Sequence, residues 1–304
     1  MQQPPLTSLK TLVIAATAGA LFTPSCGSDK LPKQYQLTTP RVLAITASNQ
    51  AQTTSPEVSS TALPATVDVR AFISALDLGV ELGTPSTLSV TYRIKTCADP
   101  GVGAGADPSC ATATSDTGNL VYAFPSRGGS YTGLLPAAPV AITVPATAIT
   151  GRSAAEIFAG VPWLVTWDFT FSNGATLRAF RRILVTSRTT LNQNPTITAI
   201  TKDGSTLTAP PSDRAVISAT LGSSNTETYT TIAGSDYLTL NENVSISWFS
   251  SQGALKYSRT TQDNPGNEYW PPNTPDRAIF ITAIVRDDRG GVGILSTTTP
   301  TVGP

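Results

Sequence analysis

Two short stretches of this chain are answered far downstream. Pro40-Arg-Val-Leu-Ala-Ile-Thr46 is matched by Pro195-Thr-Ile-Thr-Ala-Ile-Thr201, 155 residues on, and Leu88-Ser-Val-Thr-Tyr92 by Val244-Ser-Ile-Ser-Trp248, 156 residues on. Two matches in the same order at nearly one offset are the mark of a duplicated unit. Whatever one copy folds into, the other must fold into as well. The pattern inside each copy says what that is. Leu88, Val90, Tyr92 and Ile94 alternate with polar residues, as do Val244, Ile246 and Trp248. Period two places each set on one face of a half-buried strand.

Further alternating runs follow at Val140, Ile142 and Val144, and at Trp163, Val165, Trp167, Phe169 and Phe171. The three tryptophans Trp163, Trp167 and Trp248 fall on core positions of these runs. Ser172-Asn173-Gly174 then turns the chain into Leu177–Val185, and Asn-Gly between two strand-like runs is a strong hairpin signal. The second copy closes the same way, with Ala278–Val285, a turn at Asp287-Asp-Arg-Gly-Gly291, and Val292–Leu295. One helical turn is expected at Ser153–Phe158. Only 13% of residues are charged, while 24 Pro and 23 Gly punctuate the chain. This mix disfavours helix and suits short strands joined by turns. The expectation is an all-β fold of two tandem sandwiches. The first covers 39–189, 190–194 is a linker, and the second covers 195–304.

Residues 1–25 read as a signal peptide: a polar lead, an apolar Leu12–Phe22 run too short to span a bilayer, then small residues. Cys26 follows them at once. This resembles a bacterial lipoprotein cleavage site, although Thr23 stands where such sites usually carry leucine. The resemblance implies lipidation of Cys26, a polar tether over 26–38, and a cell-envelope location. Gly27 in place of aspartate implies sorting to the outer membrane of a Gram-negative bacterium, on its extracellular or periplasmic face. Acyl chains supply about 0.8 kcal/mol per buried methylene and anchor a protein without a transmembrane helix.

The second copy resembles bacterial Ig-like domains of the PKD type. Trp248 and Gly253-Ala-Leu255 are similar to their core-Trp strand and the turn after it. Trp270-Pro271-Pro272 is similar to their Trp-x-Pro segment, and Ile279–Asp287 with Arg289-Gly290-Gly291 to their last hairpin. The resemblance covers roughly residues 195–300. The first copy departs from it by a longer segment before its last hairpin. The whole layout resembles two-domain surface lipoproteins of myxobacterial type. These share an RVLAI-like first strand, a paired-cysteine loop, an Asn-x-Asn-Pro linker and a closing Asp-x-Gly-Gly hairpin. That resemblance implies location and architecture, and no activity.

With Cys26 set aside, Cys97 and Cys110 flank a Gly/Pro/Asp loop. In an oxidising compartment they are expected to form a disulfide. A zinc site would lack ligands, because the chain has no histidine and no further cysteine. The lack of histidine also excludes Ser-His-Asp and Cys-His catalysis. No Gly-rich loop lies between a strand and a helix to cradle phosphate, so neither an enzyme nor a cofactor is expected. Removal of Lys10 with the signal leaves 19 basic against 20 acidic residues. That balance argues against nucleic acid. Asp287-Asp288 suits either a β-turn or part of a calcium site.

Ligand contact is expected, if anywhere, on loops. Tyr269 and Trp270 lie in a Pro-rich loop, where their rings could form a platform for a sugar or peptide. For Trp270 the alternative is a ring folded inward to close one end of the sandwich. Tyr122 and Tyr131 lie in the long insert of the first copy. The expected function is a non-enzymatic envelope lipoprotein acting as a structural, adhesion or scaffold module. Its partners would be a membrane, through the lipid, and a protein or polysaccharide. The alternative is a carbohydrate- or peptide-binding module that uses these aromatic residues.

Overall fold

Alternating side chains need two sheets to close over them, and each half of the chain supplies a pair. The computed structural model describes residues 34–300 apart from 38–39, 75–85, 102–107, 111–113, 125–129, 132–133, 137, 173, 224, 234–235, 275–278 and 298. Cys26 and the signal segment lie outside the described residues. The described chain is almost all β, with a single short α-helix. No helix among the described residues is long and apolar enough to cross a membrane.

The first half contains β1 (Val42–Asn49), β2 (Val58–Ser59), β3 (Ala65–Ser74), β4 (Ser86–Ala98), β5 (Thr114–Phe124), β6 (Ser130–Tyr131), β7 (Leu134–Pro136), β8 (Val140–Val144), α1 (Ala154–Ala159), β9 (Val161–Phe171) and β10 (Thr176–Thr186). One sheet runs β1-β3-β7 with β8 also on β3, and the other runs β2-β10-β9-β4-β5. Val67, Val69 and Ile73 from the first sheet meet Val90, Ile94, Trp167 and Phe169 from the second in one core. Helix α1 forms at the expected turn because Ser153 and Glu156 cap each other's backbone N–H groups. The disulfide Cys97–Cys110 is present, with Cα atoms 5.7 Å apart.

The second half contains β11 (Ile197–Lys202), β12 (Ser205–Thr206), β13 (Ala215–Leu221), β14 (Thr228–Ala233), β15 (Asp236–Asn241), β16 (Ser245–Ser250), β17 (Ala254–Leu255), β18 (Arg259–Thr261), β19 (Gly266–Trp270), β20 (Ile281–Arg286), β21 (Val292–Ser296) and β22 (Thr299–Pro300). Its sheets run β12-β11-β13-β19-β17 and β18-β16-β20-β21, and β14 and β15 form a separate hairpin. Ile200, Ile217, Trp248, Tyr269, Ala283 and Val285 share its core.

Both halves are wired alike. The first strand pairs with the second, and the second with a late strand, in β1-β3-β8 and in β11-β13-β19. The other sheet joins the central strand to the closing hairpin, in β4-β9-β10 and in β16-β20-β21. This is the connectivity of immunoglobulin-type sandwiches. The matched sequence segments take equivalent places, on β1 and β11 and on β4 and β16. Even an irregularity is repeated. The β1–β3 register shifts between Val42 and Ala44, and the β11–β13 register shifts between Ile197 and Ala199. Bulges persist within families because they re-aim the strand that carries them.

Candidate functional site

The segment joining the halves is buried. Leu191 is 5% exposed and Asn192 fully covered. The Asn-x-Asn-Pro run and the Asp-x-x-Gly-Gly turn, 95 residues apart, are packed against each other. The Asn192 side-chain amide donates to both Asp287 carboxylate oxygens at 3.2 Å. The Val292 N–H donates to Asn194 Oδ1, and the Asn194 amide donates to the Ala47 carbonyl of β1. Glycine is required here, because a Cβ on Gly291 of the turn would collide with the Asp287 carboxylate and Pro195, and one on Gly293 of β21 with the Pro195 carbonyl. Asp287 also accepts from the backbone N–H groups of Arg289 and Gly291, at 3.0 and 2.7 Å. Its carboxylate therefore shapes the turn. Among the described residues no three acidic or cysteine side chains are grouped to hold a metal ion.

Around this contact lies a buried charge cluster. Glu57, 1% exposed, accepts from Arg188 at 2.9 Å, from Arg289 at 2.9 Å and from the Asn192 N–H at 2.8 Å. Arg289 also meets Glu242 at 3.2 Å and Glu227 at 3.3 Å, with its guanidinium 4.9 Å from the centre of the Tyr229 ring. Arg181 donates to the Gly290 carbonyl. Desolvation shapes the acidity of these groups. It pushes the Glu242 carboxyl up to about 7, and raises Glu227 and Asp287 above the usual carboxylate range. Burial likewise lowers Arg188, and brings Arg181 down to about 10.

An apolar seam continues the junction. Leu37, Leu43 and Ala44 pack against Phe280, Ile284 and Val292. Within the stretch 26–38 expected as a tether, Tyr35 belongs to the second core and Leu37 to this seam. The Leu37 N–H donates to the Ser250 carbonyl at 3.0 Å, the Ser250 N–H donates to the Tyr35 carbonyl at 2.9 Å, and the Tyr35 side chain is buried. The sequence signal was the apolar pair Tyr35 and Leu37, set two apart.

The expected aromatic platform is divided. Consecutive residues of a strand face opposite ways, so Tyr269 and Trp270 on β19 cannot present their rings together. Tyr269 is fully buried, its hydroxyl donating to the Gln252 carbonyl at 3.2 Å, and burial pushes its phenol up to about 12. Its ring is part of the second core. Trp270 is partly exposed on the other face, with Arg214 5.1 Å over its ring. Arg214 and Lys256 both pair with Glu268, at 2.5 and 2.6 Å. Tyr122 lies on β5 opposite Leu88, and Tyr131 on β6 opposite Thr299. The structure thus does not join Tyr122 or Tyr131 to Trp270 through any strand pairing. Sequence reasoning also missed the β14–β15 hairpin, whose Tyr237, Leu238 and Leu240 are exposed. Its β-branched and aromatic runs Tyr229-Thr-Thr-Ile232 and Tyr237-Leu-Thr-Leu240, on either side of Gly234-Ser235, were the signal that could have found it.

Searches of protein-family models and of curated proteins found no match to this chain.

Proposed function

We propose that this chain is a non-enzymatic, lipid-anchored protein of the bacterial cell envelope, in which two sandwiches act as one stiff module that spaces or presents a surface. The observation that carries this reading is the buried junction. Glu57 from the first half, Arg188 and Asn192 from the connecting segment, and Arg289 from the second half are bonded to one another out of solvent. A flexible linker would leave such groups in water, where exposed ion pairs contribute little. The intact disulfide accords with an exported protein. The anchor rests on the sequence around Cys26.

Spin labels at the exposed positions Thr91 and Thr220, in a Cys26→Ser background, test stiffness directly. One narrow distance distribution is expected. A broad distribution would show two modules hinged at 190–194. Mass analysis of the N-terminal peptide from native membranes tests the anchor: an acylated Cys26 is expected, and an unmodified, freely soluble product would overturn it.

The second reading, a carbohydrate- or peptide-binding module, is favoured by one feature. The outward face of β19 sets Trp270 and Arg214 beside Glu268 and Lys256, a flat ring bordered by polar groups. Trp270→Ala, read against binding to a glycan array, separates the readings. Loss of a specific signal supports the module.

A further inference from the structure

The hairpin β14–β15 leaves the second sandwich and returns to it through a narrow neck. Its two ends are held together by the Glu242 N–H donating to the Glu227 carbonyl at 2.9 Å, and by the Glu227 N–H donating to the Glu242 carboxylate at 3.1 Å. Both side chains then converge on Arg289. The Glu242 side chain is 2% exposed and that of Arg289 4%, whereas that of Glu227 is 18%. Farther out, the hairpin touches the first half through Tyr237, which packs edge-on against Phe158 of α1 at 5.3 Å. The rest of β15 is open to solvent on both faces.

The charges at the neck do not balance. Arg289 serves Glu57, Glu227 and Glu242, Arg188 serves Glu57 again, and Arg181 lies in the field of Asp287. Four buried or part-buried carboxylates therefore face three guanidiniums. The rim adds no clear surplus of positive charge. Arg286 from β20 lines the adjoining cleft, but so do Asp288 of the turn and Asp263 after β18, in a space of about 430 Å³. Tyr229 of β14, the remaining titratable neighbour, stands against Arg289. An unbalanced carboxylate out of water is costly, and the usual resolution is to take up a proton.

We propose that this neck is a proton-operated latch on the β14–β15 hairpin: the closed cluster holds one proton among its four carboxylates, and loss of that proton frees the hairpin. Glu242 is the carboxylate that carries it: Glu57, slightly more buried, is held by two guanidiniums, whereas Glu242 has only Arg289 Nη1, which it shares with Glu227. Burial holds its carboxyl above the ordinary value, in agreement with this. Opening returns Glu242 to water, where a carboxyl ionises near its ordinary value of 4.5. The closed state thus binds the proton more tightly than the open one. Closure is favoured at low pH, weakens through the window between about 4.5 and about 7, and is constant above it. What the latch moves is an apolar segment, since Tyr237, Leu238 and Leu240 lie on the released strand. The proposal rests on the rigid-junction reading above, because Glu57 holds Arg289 from the other half.

Amide hydrogen exchange of the Cys26→Ser protein tests the latch, with the rates of 227–242 normalised to those of β16 and β20 at each pH. Within the window, relative protection of the hairpin should fall about tenfold per pH unit, the slope set by one linked proton. Glu242→Gln should make the profile flat. Glu227→Gln, which restores the charge balance, should move the steep range to lower pH and serves if the first variant folds poorly. A flat wild-type profile, or an unchanged slope in a variant, overturns the latch and leaves the junction intact. Fast exchange at Asn192 and Asn194 at every pH would instead show that the junction itself is loose, and would overturn both readings.

Discussion

The two sandwiches share one wiring but not one means of stability. The first closes its core with its own residues, from Val67 and Ile73 on one sheet to Trp167 and Phe169 on the other, and adds a disulfide. The second borrows. Tyr35, which precedes the first sandwich in sequence, sits in the second core, and residues 34–37 pair with the end of β16. Their tryptophans differ too. The indole N–H of Trp248 donates to Thr260 Oγ1 at 2.8 Å, whereas those of Trp163 and Trp167 find no hydrogen-bond partner among the described residues. Duplication copied the strand order and the bulge. The second core differs in holding Tyr35, from a segment that precedes the first sandwich.

The largest expected effect comes from breaking the buried ion cluster. Arg289→Ala leaves Glu242 buried without a guanidinium and Glu57 with Arg188 alone, and should destabilise the protein by about 3–5 kcal/mol. Arg289→Met should cost less only if an acid nearby gains a proton. Denaturant titration measures both, and a cost near zero for Arg289→Ala would mean the cluster is open to water.

Tyr35→Ala should cost about 3 kcal/mol, from an aromatic ring lost from a packed core. The loss should appear in the exchange of both sandwiches, because they unfold as one unit. A loss confined to β16 and β20, leaving β3 and β9 protected, would show that the second sandwich opens alone. Reducing Cys97–Cys110 should act on the other side of the comparison. It releases a loop of 13 residues' separation, about 3 kcal/mol in the chain-entropy model, and should lower the single shared transition. Trp270→Ala should have the smallest effect on stability, within about 0.5 kcal/mol, since its ring is outside the core. A larger loss would show that the Arg214 contact is structural.

The period-two runs make the sheets legible in the amino-acid sequence, because a strand's two faces are written into alternate residues. Trp163, Trp167 and Trp248 fall on inward positions and are buried. The same rule forbids a joint Tyr269–Trp270 platform, yet a Pro-rich stretch has the composition of a loop and hides β19. The junction is legible only as fragments. Asn192 and Asp287 belong to two recognisable motifs, but no local pattern says that residues 95 apart share a hydrogen bond. Glu57, Arg188 and Glu242 carry no periodicity, since a buried charge is fixed by partners from distant segments. Tyr35 is hidden by its polar neighbours Gln34 and Gln36, which turn to the other side of the chain.

Calorimetry of the Cys26→Ser protein tests the fused junction most directly. Two sandwiches sharing a buried cluster, an apolar seam and Tyr35 should melt in one cooperative transition, with calorimetric and van't Hoff enthalpies in agreement. Two resolved transitions, each unaltered when Arg289 is replaced by Ala, would contradict it and show independent domains on a string.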